Sequence, residues 1–350
     1  MIRHLFKEIA RRPLGVVCLT ILGILYLCTI FSQFLAPYLP TDQDLNNAYH
    51  PPTRILMVDW LPHVQVYEQV DPSAARYEPV EGATVPVSFF SSGAQYRLWG
   101  IIPADIRLFQ VEEPHRIYLL GSDGTGRDVF SRLLYGAQVS LSIGFIGICI
   151  TMTLGFIVGG VAGYFGGRVD FAAMRLVEFI IAVPSLYLLI ALRGALAEYF
   201  EPEQMYLVIV IILSLIGWAG AARIIRGMAL SLRQRPFVLA AEVMGQSSFR
   251  ILFKHFLPNL ASYLLVAATL SIPAYILAEA ALSFLGLGIQ EPGTSWGLML
   301  QQAQELKVFT LNLWWLLLPG AAIFITVITF NVLGDVLRDI VDPRQQMVKR

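Results

Sequence analysis

The chain has 350 residues, of which 56% are hydrophobic and 14% are charged. Soluble domains carry about 25% charged residues, so a chain this poor in charge is expected to place its apolar residues in a membrane. Its 25 basic and 25 acidic residues cancel, which argues against a nucleic-acid-binding protein and against an acidic tail. Disorder is excluded because disordered chains lack apolar residues.

Apolar segments long enough to span a bilayer follow one another along the chain. A spanning helix needs about 20 mostly apolar residues. Six such segments are predicted, at about residues 14–36, 139–164, 177–196, 205–222, 261–285 and 311–333. The first is too long for the apolar region of a signal peptide, and we expect it to remain as a membrane anchor.

The basic residues predict the orientation of these spans. If the N-terminus is cytoplasmic, 16 of the 25 basic residues fall in cytoplasmic segments, as the positive-inside rule requires. Both termini are therefore expected to be cytoplasmic. The predicted divisions are an N-terminus with the first helix (1–36), an extracytoplasmic insertion with an interfacial helix (37–136), a five-helix core (137–334) containing a cytoplasmic loop (223–260), and a cytoplasmic tail (335–350).

The outer segment differs in composition from the rest of the chain. It carries 12 acidic and 7 basic residues, and 8 of the 19 prolines lie between Pro51 and Pro114. Alternating apolar and polar residues at 85–90 and 96–99 predict short strands in a small β-rich domain, although an irregular packed loop is the alternative. After a Gly-rich turn at 121–126, Asp128 or Ser131 is expected to begin an amphipathic helix on the outer membrane interface.

The cytoplasmic loop predicts two short helices joined by a turn. Pro236 is suited to begin the first helix, and Gly245 is suited to follow its end. Ser247 or Ser248 can cap the second helix, which Pro258 is expected to help end. Four apolar residues of the second helix recur at helical spacing, namely Phe249, Leu252, Phe253 and Phe256. Such a stripe can lie on lipid, pack on its own bundle or insert into a groove of a partner.

This loop resembles the coupling motif of ABC importer permeases, which reads Glu-Ala-Ala, three residues, Gly, nine residues, Ile, one residue, Leu-Pro. The matching positions are Ala240, Ala241, Gly245, Leu257 and Pro258. Leu239 stands in place of the Glu, and His255 stands in place of the Ile. Glu242 could substitute for the missing Glu, although it lies on a different face of the helix.

Three further stretches resemble the oligopeptide/dipeptide permeases of the C type. They are residues 120–136, residues 278–288 with 295–297, and residues 331–344. The resemblance implies an all-α membrane protein with six transmembrane helices of the type I ABC importer kind, here carrying a small extracytoplasmic β-rich insertion. Residues 50–115 are longer than the usual connection in that family, so the resemblance assigns them no role.

The resemblance also implies the partners and the cargo. A homologous second permease, two cytoplasmic ATPase subunits and an extracytoplasmic substrate-binding protein would complete a bacterial inner-membrane importer of peptides, or of a nickel chelate, glutathione or a sugar. The sequence contains no Gly-x-x-x-x-Gly-Lys-Ser/Thr, so this chain is expected to be no enzyme and to bind no cofactor, with ATP and Mg on the partner subunits. The residues implied to contact the ATPase are Ala240, Ala241, Glu242, Gly245, Phe249, Leu257 and Pro258.

Two residues of the fifth span are further candidates. An ionisable residue within a membrane indicates function by default, so Glu279 either lines the pathway or holds the bundle together. Pro273 is a possible hinge or a packing kink. No metal or catalytic motif is found: His-Glu-x-x-His and Gly-x-Ser-x-Gly are both absent, and none of the five histidines lies in a predicted span. A secondary transporter would need more helices and internal repeats, whereas a membrane scaffold is compatible with the cytoplasmic loop alone.

Overall fold

A computed structural model describes residues 2–98, 101–196, 198–201 and 204–341. The chain forms two compact units, each built from segments that are distant in sequence. One unit comprises Met1–Thr20, Ile143–Ala278 and Thr326–Arg350, and the other comprises Ile21–Ser142 and Glu279–Ile325. The last nine residues, which include the Asp342-Pro343-Arg344 part of the C-terminal motif, lie outside the described residues.

The apolar segments form long helices. In chain order the helices are α1 (Ile2–Ala10), α2 (Pro13–Ile30), α3 (Ser32–Leu35), α4 (Val129–Phe165), α5 (Gly167–Ala182), α6 (Ser185–Leu196), α7 (Met205–Arg233), α8 (Pro236–Val243), α9 (Ser248–Ile251), α10 (Leu257–Phe284), α11 (Trp296–Gln302), α12 (Leu306–Thr310) and α13 (Leu318–Val341). Within the described residues, the segments long and apolar enough to span a membrane unaided are Pro13–Ile30, Val129–Phe165, Met205–Arg233, Ser248–Phe284 and Trp314–Val341.

The third predicted span is broken. Helices α5 and α6 meet at an angle of 86°, with Val183 and Pro184 between them. Proline has no N–H to donate and disfavours helical geometry at the residue before it, and Val183 is accordingly extended at φ −82 and ψ 123. The described residues thus contain five spans, or six if the bent pair crosses as one, where the sequence predicted six helices.

Helix α4 begins ten residues before the predicted span and runs unbroken for 37 residues. The predicted separate interfacial helix is therefore wrong, because its residues form the first turns of α4. Asp128 does begin this helix, as one of the two expected caps. Its carboxylate accepts hydrogen bonds from the backbone N–H of Ser131 at 2.8 Å and from the Ser131 hydroxyl at 2.6 Å.

Small residues bring α4 against α7. A Cβ added to Gly155 would lie 2.8 Å from the Cβ of Ala221, and one added to Gly159 would meet the backbone carbonyl of Ala222. A Cβ on the neighbouring Gly160 would have only ordinary contacts, the nearest at 3.7 Å. The small residues of α4 thus allow close packing of α4 on α7.

A four-stranded antiparallel sheet occupies much of the outer segment. Its strands are β1 (Ile55–Val58), β2 (Leu61–Asp71), β3 (Arg76–Leu98) and β4 (Ile102–Val111), in the order β1-β2-β3-β4. The two predicted short strands lie within the single 23-residue strand β3, which pairs first with β2 and then with β4. Trp99, the last residue of the second predicted strand, and Gly100 lie outside the described residues. The predicted all-α class is therefore corrected: the protein combines membrane helices with a sizeable antiparallel sheet.

Candidate functional site

The turn between α8 and α9 is fixed by backbone geometry. Pro236 is the first residue of α8, preceded by an extended Arg235. After α8, Gly245 adopts φ +73, which favours glycine, and its N–H donates to the carbonyl of Glu242 at 2.9 Å. The next N–H, of Gln246, donates to the carbonyl of Ala241 at 3.1 Å, which completes a Schellman motif. The predicted role of Gly245 at this helix end is confirmed.

The second helix does not end at Pro258. Ser247 caps α9 by accepting the N–H of Arg250 at 3.4 Å, and a π-helical turn at Leu252–Phe256 then leads directly into α10. In this wider turn the N–H of Leu257 donates to the carbonyl of Leu252. The turn accommodates Pro258, which has no N–H and would crowd the carbonyl four residues before it. The prediction that Pro258 ends the helix is wrong, because Ser248–Phe284 forms one long helical segment.

One face of this loop is locked into the bundle. Val238 and Ala241 of α8 are completely buried, as are Ile251 and Phe256 of the following turns. They pack with residues of α4 and α7 in one apolar cluster, whose members there are Phe156, Tyr164, Ile225 and Ala229. Each Å² of apolar surface that this cluster removes from water stabilises the fold by about 25 cal/mol. The loop is therefore a fixed part of its unit.

The opposite face is apolar and uncovered. Val243 is 89% exposed, and Met244 and Phe249 are each 70% exposed. Phe253 stacks on Phe249 with ring centroids 4.5 Å apart, and Leu239 extends the patch along α8. We call Leu239, Val243, Met244, Phe249 and Phe253 the α8–α9 surface. Several exposed apolar side chains on an element whose other face is rigidly buried indicate a binding surface for another molecule.

The predicted contact residues divide between the two faces. Ala240, Glu242, Gly245, Phe249 and Pro258 are exposed, Leu257 is half-buried and Ala241 is buried. The sequence reasoning missed Val243 and Met244. No sequence signal singled them out, because the burial of Val238 and Ala241 on the other side of α8 depends on α4 and α7, which are distant in sequence.

The candidate substitute Glu242 and one of the two departures from the motif, His255, have local partners. Glu242 interacts with the hydroxyl of Tyr164 on α4, which also interacts with the side chain of Ser248. His255 lies across the turn from Gln246, with 3.1 Å between its Nε2 and the Gln246 Oε1. Both residues therefore close the loop on its own unit.

Glu279 lies in a cage of serine hydroxyls. It is fully buried, and it accepts hydrogen bonds from Ser283 at 2.7 Å and from Ser140 at 3.2 Å. Each hydroxyl in turn accepts a backbone N–H, from Ile289 at 3.0 Å and from Trp296 at 3.2 Å. Each hydroxyl proton is thus free to point at the carboxylate. Among the described residues Glu279 forms no ion pair, and this network joins α4, α10 and the start of α11.

Pro273 lies inside α10 without ending it. The residue is buried, and the helix continues on both sides for a total of 28 residues. The structure thus places Pro273 in the helix interior, where the loss of one backbone donor is tolerated in a membrane bundle.

A buried ionic network lies just before α4. Asp123 pairs with Arg127 at 2.8 Å and with Arg132, and Arg127 also pairs with Glu291 at 2.6 Å. Burial by itself would raise the pKa of Asp123, but Arg132 and Arg127 outweigh burial and hold that pKa below its usual value. Asp123 of the Gly-rich turn thus pairs with two arginines of this same chain. Through Arg127 and Glu291, the turn is also joined to the segment that follows α10.

Comparison with known families decides the identity. The sequence model of the binding-protein-dependent transport system inner membrane component matches residues 152–347, more than half of the chain. The chain belongs to this family. A second match, to the N-terminal transmembrane domain of oligopeptide transport permease C, covers residues 2–52 of the permease. The whole α8–α9 surface lies within the first matched range.

Curated relatives include peptide and nickel permeases. The permease is 41% identical over 232 residues to the dipeptide transport system permease protein of Bacillus subtilis strain 168, which covers 66% of this chain and 70% of that one. It is 39% identical over 231 residues to the oligopeptide transport system permease protein of the same organism, covering 66% and 73%. It is also 39% identical over 232 residues to the nickel transport system permease protein of Escherichia coli K12, covering 66% and 80%.

Proposed function

We propose that this permease forms the translocation path of an ATP-driven peptide importer together with a homologous second permease. The α8–α9 surface is its contact with a cytoplasmic ATPase subunit, and an extracytoplasmic binding protein delivers the substrate. The observation that carries this proposal is the exposed patch around Met244 on an element whose other face is fully buried. Such a shape suits insertion into a groove of a partner protein.

The continuity of α9 with α10 gives the surface a mechanical role. No break in helical structure separates Ser248 from Phe284. A force applied to Phe249 therefore moves the cytoplasmic part of α10 as one body, together with the α8 residues packed in the same cluster. Closure of the ATPase subunits would in this way tilt the helices around the path, in agreement with the two-state transitions that rigid elements support.

We expect the contact to be apolar at the position where the family motif has Glu. Leu239 is exposed on the α8–α9 surface, whereas Glu242 interacts with Tyr164 of its own unit. Glu242 therefore serves to hold the loop and does not replace the missing Glu in the partner contact.

The location of ATP follows from this assignment. ATP and Mg bind to the partner subunits, and this chain binds no cofactor and catalyses no hydrolysis. The termini, α8 and α9 face the cytoplasm of a bacterium, and the sheet faces outward, because the basic residues concentrate in the segments next to α8. The six-helix arrangement of type I importers, with the bent α5–α6 pair as the third span, completes the proposal.

Glu279 is assigned to packing and not to the path. A carboxylate held by hydroxyls that also receive backbone N–H groups has the features of a structural joint. The cargo is assigned as peptide from the dipeptide and oligopeptide relatives. Nickel is the alternative, since a nickel permease is 39% identical.

Co-purification tests the partner contact. The permease carries an affinity tag and is expressed with its second permease and ATPase subunits. The unaltered chain is expected to retain both partners, and Met244→Glu is expected to lose the ATPase while keeping the second permease, because a charge is costly in an apolar groove. Met57→Glu is the control, since Met57 is 67% exposed on β1 and is distant in sequence from Met244.

Two results would contradict the proposal. Failure of the unaltered chain to retain any ATPase would favour a scaffold or a secondary transporter. Retention of the ATPase by Met244→Glu at the level of the Met57→Glu control would show that the contact lies elsewhere on the permease.

A further inference from the structure

The N-terminal helix α1 carries two neighbouring exposed rows of different chemistry. Phe6 is 58% exposed, and Ala10, four residues further along, is also exposed. Lys7 and Arg11 are exposed at the same spacing. Because residues four apart lie on one side of a helix, a basic row lies beside the apolar row.

The opposite side of α1 is buried against two membrane helices. Leu5 and Ile9, again four residues apart, are buried. A Cβ added to Gly15 of α2 would lie 2.8 Å from Cγ2 of Ile9 and 3.3 Å from Cγ1 of Val336. Ile9 therefore packs where the first turn of α2 meets the last turns of α13, all within one unit.

The chain bends sharply between α1 and α2. In one straight helix, Ile9 and Gly15 would be separated by about 9 Å along the axis. Instead, the carbonyl oxygen of Ile9 lies 3.1 Å from the place where a Cβ of Gly15 would be. Helix α1 thus leaves the line of α2 and does not extend it.

The length of α2 places this bend at the membrane surface. Its 18 residues rise by about 27 Å, and the hydrocarbon core is about 30 Å thick. The whole helix is needed to cross, so Arg11 and Arg12 lie at the inner headgroup level in the orientation proposed above. Arg12 pairs with Asp339 of α13 at 3.3 Å. Because α1 has nine residues, its far end stays within about 14 Å of that level.

The charge of this segment is complementary to an anionic lipid surface. The first 12 residues hold four basic residues and one acidic residue. The acidic residue, Glu8, pairs with Arg11 at 2.6 Å, but the arginine side chain is 64% exposed, and surface pairs of this kind are weak. Lys7 forms no ion pair with any described side chain. Basic clusters directly cytoplasmic of a membrane helix attract anionic lipids.

We propose that α1 lies in the cytoplasmic surface of the membrane and binds anionic phospholipid headgroups. Phe6 enters the boundary between headgroups and acyl chains, and Lys7 and Arg11 bind the lipid phosphates beside it. The apolar row continues into the lipid-facing surface of α2, where Leu14 is 63% exposed and Val17 is 53% exposed. This inference rests on the cytoplasmic N-terminus of the proposed function, but it requires neither the ATPase nor the substrate.

Photo-cross-linking tests this proposal in the complete importer, embedded in nanodiscs of equal amounts of phosphatidylglycerol and phosphatidylcholine. Benzoylphenylalanine replaces Phe6 or, in a reference protein, Ile24, which is 56% exposed on α2. Mass spectrometry measures the adducts with each lipid. At position 6, phosphatidylglycerol adducts are expected to exceed phosphatidylcholine adducts severalfold. At position 24 the two are expected to be equal, because no basic row lies beside it.

Removal of the basic row tests the recognition of charge. Lys7→Gln combined with Arg11→Gln is expected to abolish the preference at position 6 while lipid adducts still form. Arg76→Gln combined with Arg97→Gln is the matched control, since both arginines are exposed in the outer sheet and the same charge is lost. The control is expected to keep the preference.

Three results would overturn the proposal. Equal lipid adducts at position 6, or a preference that survives loss of the basic row, would exclude recognition of anionic headgroups. Adducts with an ATPase subunit in place of lipid would show that a protein covers α1. Absence of any lipid adduct would place α1 in water. A chain that forms the expected adducts but retains no ATPase would refute the proposed transport function and leave this inference standing.

Discussion

At the scale of single residues, the conformation of Gly245 sets the geometry of the α8–α9 surface. Its positive φ lets the chain reverse between two helices, so that Met244 and Phe249 are presented together. Apart from its two chain neighbours, no described residue has an atom within 4 Å of the place where a Cβ would be. The requirement for glycine is thus one of backbone conformation within this chain.

Substitutions at Gly245 test whether glycine is required for its backbone conformation or for the space that it leaves. Gly245→Ala places a Cβ in the left-handed region at a cost of about 1 kcal/mol. It is expected to reduce substrate-stimulated ATP hydrolysis in the reconstituted importer. Gly245→Asn, which adopts this region more readily, is expected to retain more activity than the alanine variant. Equal loss in both variants would show instead that the partner packs too closely for any side chain.

Asp128 gives a pH dependence with a defined sign. Burial, opposed by hydrogen bonds from Ser131, raises the pKa of its carboxyl from 3.8 to about 7. Because the folded state then holds this proton more tightly than the unfolded chain, the stability it contributes is complete below about pH 4 and is lost as pH rises through 7. The melting temperature relative to Asp128→Asn should therefore fall between about pH 4 and pH 7 and change little above that. Parallel curves for the two proteins would contradict the assigned shift.

At the scale of elements, apolar length predicted the membrane helices and motif spacing predicted the turn at Gly245. The path of the chain at prolines was not predictable from the sequence. Pro184 lies at the bend between α5 and α6. Pro258, in contrast, directly follows a π-helical turn without ending the helix, and Pro273 lies within the unbroken helix α10. The difference depends on how neighbouring groups satisfy the backbone carbonyls that each proline leaves without a donor.

The outward face of α8 and the length of β3 were also missed. Sequence periodicity indicates which residues share a helix face, but not which face the bundle covers. The burial of Val238 and Ala241 depends on α4 and α7, which are distant in sequence. Likewise, β3 continues past Pro86 because a different partner strand takes over pairing at Val87.

Adjacent glycines on α4 test the packing of that helix. Gly159→Ala is expected to destabilise the permease, because its Cβ would meet the backbone carbonyl of Ala222 and force α7 to move. Gly160→Ala is the matched control, since it has room and gains helix propensity of about 1 kcal/mol. Thermal unfolding in detergent measures both. Similar melting temperatures would mean that α4 and α7 do not pack closely.

At the scale of the whole molecule, the net charge of zero conceals two chemically different ends. The segments proposed to be cytoplasmic hold most of the basic residues and the α8–α9 surface, while the outer segment has 12 acidic and 7 basic residues. In the proposed topology, the apolar α8–α9 surface belongs to the basic cytoplasmic segments and the sheet belongs to the acidic outer segment.

Transport by this permease is proposed to be driven by ATP bound to partner subunits. Uptake of a labelled dipeptide into proteoliposomes containing the complete importer, with the binding protein outside and ATP inside, tests it most directly. Uptake is expected to require ATP and to be abolished by Met244→Glu but not by Met57→Glu. Uptake that persists in liposomes lacking the ATPase subunits would contradict it.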